Sequence, residues 1–382
     1  MARAPVVQEI EAPPEADRLD GFPHPRMTAQ LFGHVAPQQA MAQAFAAGRV
    51  HHAWLIAGPR GIGKATLAYQ IARYALARPE ERGLGVAAAG GGGSPLAVAP
   101  LSVAGRQVRA LSHPGLMLIR RPWEPKGKRL MASITVDEVR RLKSFLTHSA
   151  APDTWRVVIV DQADELNINA ANALLKSLEE PPARALFLLV SSEPGRLLTT
   201  IRSRCRRVQL EPLGPEDLRR AAEAAMATAD EPPKLPADGE WARLMVAAQG
   251  SVRRLLALAE TDGAKLNDKM RGLVGLLPKV DWSQIHSLSD ELVGPGAEQR
   301  FEQFFTQLLD FVGRLVRARA VDREDSDDGR LAARLIPAHG LATWAELWET
   351  VHAKKAETLA LNLDRKSLIL ETIARMQAAA RG

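Results

Sequence analysis

At 382 residues, 46% hydrophobic and 25% charged, the chain has a globular composition and exceeds one ordinary core, which points to two or three domains. One cysteine, Cys205, excludes an internal disulfide framework and a cysteine-rich zinc site, and no apolar run is long enough to cross a bilayer. The net charge of +6 suits contact with polyanions or a merely well-solvated basic surface.

Residues 1–24 are acidic and proline-rich without periodicity, which predicts a disordered tail; no apolar stretch there resembles a signal peptide, so a cytoplasmic protein is expected. A helical pattern begins at Gln30, with Met41 and Phe45 four residues apart. Ala53 to Ala57 reads as a short buried strand, and Leu67, Ile71 and Tyr74 as one face of a helix. Residues 79–112, rich in Gly and Ala, predict a flexible insertion with little packing power. Val136, Val139, Leu142 and Leu146 fit a helix, Val157 to Val160 a strand, Ala170 to Leu178 a helix stopped by Pro181-Pro182, and Leu186 to Val190 another strand. Alternating helices and uninterrupted apolar strands predict a parallel sheet covered on both faces.

Beyond residue 211 only helices are expected. A short set continues to about residue 263, interrupted by a proline-rich linker at 231–236, and a longer set fills 264–382. Phe301, Phe304, Phe305, Leu308, Leu309, Val312 and Leu315 form one apolar stripe, and Trp344, Leu347, Trp348 and Val351 another; Glu324 to Gly329 between them reads as a solvated loop.

Gly58-Pro59-Arg60-Gly61-Ile62-Gly63-Lys64-Ala65-Thr66 follows the first strand and opens a helix, the setting in which a phosphate loop is credible. Its glycines let backbone N–H groups turn toward phosphate oxygens, the helix N-terminus adds partial positive charge, and Lys64 reaches the outer phosphates. A turn without a ligand is the competing reading. Ala65 stands where a Ser or Thr would hold magnesium, and Thr66 points about 100° away around the helix axis. Phosphate binding survives this change; the metal site is impaired.

The second strand ends in Asp161, placed to hold magnesium through water at the carboxyl end of the sheet. The next residue, where a glutamate would activate the attacking water, is Gln162, and an amide cannot accept that proton. Asp164 and Glu165 follow, either as substitutes for the missing base or as ordinary acids at a helix start.

The chain resembles bacterial clamp-loader subunits of DNA polymerase III, which are AAA+ proteins. The resemblance rests on Asp161 to Asp164, on Ala170 to Pro182 (AANALLKSLEEPP), on Ser203-Arg204-Cys205 and on Gly250-Ser251-Val252-Arg253, in the family's order over residues 25–260. Phe32-Gly33-His34, His51 to Leu55 and, more weakly, Leu361 to Asp364 are similar to the delta-prime members. Ala65 and Gln162 depart from the gamma/tau motor pattern and favour the delta-prime kind over a catalytically active motor, the alternative.

The resemblance implies an AAA+ P-loop domain over 25–210, a helical lid over 211–263 and an all-α oligomerisation collar over 264–382. It implies a stator that helps load a sliding clamp on primed DNA and hydrolyses little or no ATP itself. Arg204 would act in trans as an arginine finger, although a basic helix end is the plainer reading; Arg253 would be the residue facing nucleotide bound in its own subunit. ATP or ADP is conceivable in the degenerate site, with magnesium weak or absent. Zinc does not carry over, because 79–112 lacks the four cysteines of many relatives. The implied partners are gamma/tau and delta subunits in a hetero-pentamer, the clamp transiently, and primer-template DNA without sequence preference, through helix starts near Thr135 and Asn169; no membrane is involved. The apolar helices after 264 are either private core or intersubunit surface.

Overall fold

The computed structural model describes residues 15–83, 94–99, 101–126, 129–147, 154–233, 235–259, 263–294, 296–322, 326–361 and 363–381. These fall into two compact units, Met1–Ala257 and Leu258–Gly382.

The strands are β1 (Ala53–Ala57), β2 (Leu116–Ile119), β3 (Trp123–Glu124), β4 (Arg129–Leu130), β5 (Arg156–Val160), β6 (Ala185–Ser191) and β7 (Arg206–Gln209). Five form one parallel sheet in the order β2-β5-β6-β1-β7, while β3 and β4 pair as a small antiparallel hairpin. The helices of the first unit are α1 (Val35–Ala46), α2 (Lys64–Leu76), α3 (Val103–Arg109), α4 (Val136–Thr147), α5 (Ile168–Glu179), α6 (Thr199–Arg202), α7 (Pro215–Met226) and α8 (Asp238–Ala248), with α9 (Val252–Ala259) beginning in it and running past its last residue.

Strand side chains alternate between two cores because a strand's period is two. Trp54, Ile56, Val157, Ile159, Leu186 and Leu188 pack with α1, α2 and α3 on one face. Ala53, Leu55, Val158, Val160, Phe187 and Leu189 pack with α4, α5 and α6 on the other. Both faces being covered, the central strands β1, β5 and β6 read as nearly unbroken apolar runs, while the edge strand β7 is polar and exposed, and the expected α/β P-loop class is found.

Three expectations change. The predicted tail 1–24 carries structure from Glu15 onward, because its acids find cations: Glu15 pairs with Arg26 (2.7 Å) and Arg120 (2.8 Å), and His24 and Phe22 are buried. Residues 1–14 lie outside the described residues. The insertion 79–112 is partly core: Leu96 and Val108 are fully buried and α3 is capped by the Ser102 hydroxyl, while 84–93 and 100 lie outside the described residues. Third, α1 starts at Val35 rather than near Gln30, since Gly33 and His34 adopt positive φ (65° and 51°) and break the pattern.

The second unit is helical: α10 (Gly263–Gly275), α11 (Trp282–Val293), α12 (Glu298–Ala320), α13 (Asp327–Leu335), α14 (Leu341–Leu361) and α15 (Arg365–Ala379). The α12 stripe from Phe301 to Leu315 is buried as its spacing predicts, against Trp344, Leu347 and Val351 of α14. The acidic run is not all loop. Ser326 caps α13, and Asp328 is buried between Arg271 (2.8 Å) and Arg314 (2.9 Å), which neutralise it. Among the described residues no helix is long and apolar enough to cross a membrane.

Candidate functional site

The phosphate loop leaves β1 at its carboxyl end. Gly58 and Gly61 carry φ of +151° and +76°, and a side chain at Gly61 would meet the Ser251 hydroxyl at 2.5 Å and the Arg253 Cβ at 2.6 Å. Only glycine fits there. Ile62 is core, Gly63 turns the chain into α2, and Ala65 packs against the core layer beneath. Pro59 is exposed and Thr66 half-buried. The Lys64 ammonium is folded back into its own loop, donating to Gly58 O (2.8 Å), Pro59 O (2.5 Å) and Ser192 Oγ (3.0 Å). Burial, with the nearby Arg60 charge, lowers its pKa to about 8 despite the attraction of Asp161 and Asp164.

Asp161 directly follows β5 and is buried. Burial, then the charge and hydrogen bond of the neighbouring Asp17, push its pKa well up, which favours the neutral acid. Burial would raise Asp17 too, but its hydrogen bonds with His24 and Asp161 and the charges of His24 and Arg120 outweigh that and hold it low. Gln162 has positive φ (56°), and its side-chain amide donates to the Glu165 carboxylate at 2.8 Å. Glu165 also pairs with Arg121 (2.6 Å) and Arg60 (3.3 Å), and Asp164 accepts the Ser192 N–H (3.0 Å). Both candidate bases are therefore already engaged.

Arg253 opens α9 above the loop, its backbone N–H reaching Gly61 O at 3.3 Å and its guanidinium donating to Asp17 O (3.2 Å) and Arg18 O (3.1 Å). The structure thus gathers residues 58–66, Asp161 and Arg253 at one end of the sheet. Arg204 is not among them. It sits in the turn between α6 and β7, paired with Glu179 (2.7 Å) and donating to Thr200 O (2.9 Å). Arg206 is level with Trp54 in the register, so at about 3.3 Å per residue Arg204 lies on the order of 20 Å from the phosphate loop, at the opposite end of the sheet. Cys205 beside it is an inert thiol, its pKa raised by burial to about 12.

A family model described as "DNA polymerase III, delta subunit" matches residues 34–214. DNA polymerase III subunit delta′ of Escherichia coli is 30% identical over 343 residues, 89% of this chain and 92% of that one. The chain belongs to the delta′ family. Its counterpart in Pseudomonas aeruginosa is 41% identical over 155 residues, covering 40% of this chain and 41% of that protein. Subunit tau of Salmonella typhimurium is 29% identical over 285 residues, 72% of this chain but only 39% of tau.

Sequence reasoning missed four participants. Ser192, next to Lys64, had a readable signal in the polar pair Ser191-Ser192 ending a buried strand. Arg120 and Arg121 follow β2 and join the site only through the order of the sheet. Asp17 pairs locally with His24, but what ties it to the site, Arg120 and Asp161, lies more than a hundred positions away.

Proposed function

We propose that this chain is a delta-prime stator of a bacterial clamp loader, holding but not hydrolysing nucleotide and lending Arg204 to a neighbouring ATPase. The observation that carries the reading is the placement of Arg204. A guanidinium on the far edge of the sheet, half-exposed and on the order of 20 Å from its own phosphate loop, has no phosphate to serve within its subunit. At a subunit boundary it would meet charge spreading over a neighbour's γ-phosphate, where such a residue is worth about 10³–10⁵ in rate. On its own side, Ala65 offers no metal-binding hydroxyl and Gln162 no base, and Asp164 and Glu165 are committed to Ser192, Arg121 and Arg60. The loop fits phosphate and does not fit magnesium: ATP or ADP would be held by backbone N–H groups of residues 58–66 and by Lys64 and Arg253.

In this reading residues 211–263 act as the lid, 264–382 as the collar that joins gamma/tau and delta subunits, and the starts of α4 and α5 track primer-template phosphates without reading sequence. The test is a loader reconstituted with its motor and ring-opening subunits and Arg204→Ala. Assembly should persist while hydrolysis at one motor site and clamp loading fall steeply. Unchanged loading sinks the assignment. The competing reading, a self-sufficient motor, requires DNA-stimulated ATP turnover by the purified chain.

A further inference from the structure

The segment from Glu15 to Arg26 lies beside the phosphate-loop site and takes up two of the cations around it, Arg253 and Arg120. The Arg253 guanidinium stands over the loop, with Gly61 pressed against its Cβ, and two of its five N–H donors go to the carbonyls of Asp17 and Arg18, one from each terminal nitrogen. The Asp17 carboxylate, with only 5% of its side chain exposed, faces Asp161 and is held by His24 (2.5 Å) and Arg120 (3.0 Å). Glu15 bridges Arg120 and Arg26, and the Arg26 and Thr28 carbonyls accept from Arg73 of α2, which fastens the segment's far end (2.9 and 3.0 Å).

We propose that residues 15–26 form a built-in strap that closes the phosphate-loop site, so that strap and nucleotide exclude one another. The exclusion is chemical as well as steric. The strap's carbonyls engage both terminal nitrogens of Arg253 and hold its guanidinium over residues 17 and 18, away from a ligand's outer phosphates. It also sets a second carboxylate beside Asp161, where added phosphate charge would be repelled. A tethered segment competes at an effective concentration in the millimolar range. Apparent nucleotide affinity is then the intrinsic affinity scaled by the fraction of time the strap is lifted. The inference rests on reading residues 58–66 as a phosphate loop.

The test compares the full chain with its Glu15→Ala/Asp17→Ala variant, using a fluorescent ADP analogue and hydrogen exchange of residues 15–26 and 58–66. The variant should exchange faster over 15–26 and bind the analogue at least about tenfold more tightly, gaining protection over 58–66. The unsubstituted chain at millimolar ADP should gain protection over 58–66 as it loses it over 15–26, a readout that needs no variant to fold. Equal affinity in both proteins, or protection of 58–66 with residues 15–26 unmoved, overturns the strap and leaves the phosphate loop standing. So does a variant whose residues 15–26 exchange no faster than before. No protection of 58–66 in either protein overturns the phosphate-loop reading itself, while the role of Arg204, read out in the assembled loader, is unaffected.

Discussion

The two ends of the parallel sheet use their cations in opposite ways. At the carboxyl end Lys64 and Arg120 are each held by buried or part-buried acceptors of this same chain. At the amino end Arg204 is held by one half-exposed carboxylate, Glu179, and one carbonyl, contacts that water competes with. A cation with buried partners is expensive to redirect. One with exposed partners can change partner at little cost. On the proposed reading, hydrolysis is given up at one end while the other presents a group able to act on a second molecule.

The largest expected effect sharpens this contrast at the amino end. Arg204→Lys keeps the charge but loses the planar fork, and should cut hydrolysis at the neighbouring site at least about 10²-fold in single-turnover assays of the assembled loader. Its thermal unfolding should stay within about 0.5 kcal/mol of the parent. Next comes the sheet that separates the two ends: Phe187→Ala, at a fully buried position of β6, should cost about 3–5 kcal/mol in chemical denaturation. If Phe187→Ala were as harmless as Arg204→Lys, the sheet would not be the rigid spacer the contrast needs.

A third effect depends on pH. The Lys64 pKa falls from 10.5 to about 8 in the folded chain because of burial, so between those values the unfolded state binds more protons. Its contribution to stability should therefore rise with pH across that window and be flat below it, and Lys64→Met should remove this rise from denaturation midpoints. A slope of the opposite sign would mean that the ammonium is stabilised rather than strained. The smallest effect is expected for Lys64→Ala in clamp loading, within about twofold, because on the proposed reading this site should not turn over; a loss of motor size would erase the distinction between the two ends.

Much of this was legible in the sequence because it is local. The phosphate loop, the β5 carboxylate and the α12 stripe are runs of adjacent residues whose spacing fixes their faces. What escaped depends on tertiary closure. Asp17 and Glu15 look like tail residues until the order β2-β5-β6-β1-β7 brings Arg120 and Asp161 to the same rim. Leu96 and Val108 sit in a Gly/Ala-rich stretch whose average composition hides two side chains that pack fully. Asp328 read as solvent-exposed because its counterions, Arg271 and Arg314, come from other helices.

One flank of the sheet bears on how copies of this chain coexist. Among the described residues β7 pairs only with β1, and no strand lies along its outer row of amide and carbonyl groups. Exposed Arg206 and Arg207 line that rim, Arg206 lying over the Trp54 ring and Arg207 donating to Gln209. Two such rims brought together would set arginine against arginine, which discourages growth of a continuous ribbon from molecule to molecule. Charge repulsion at this flank should therefore oppose edge-to-edge pairing of two copies.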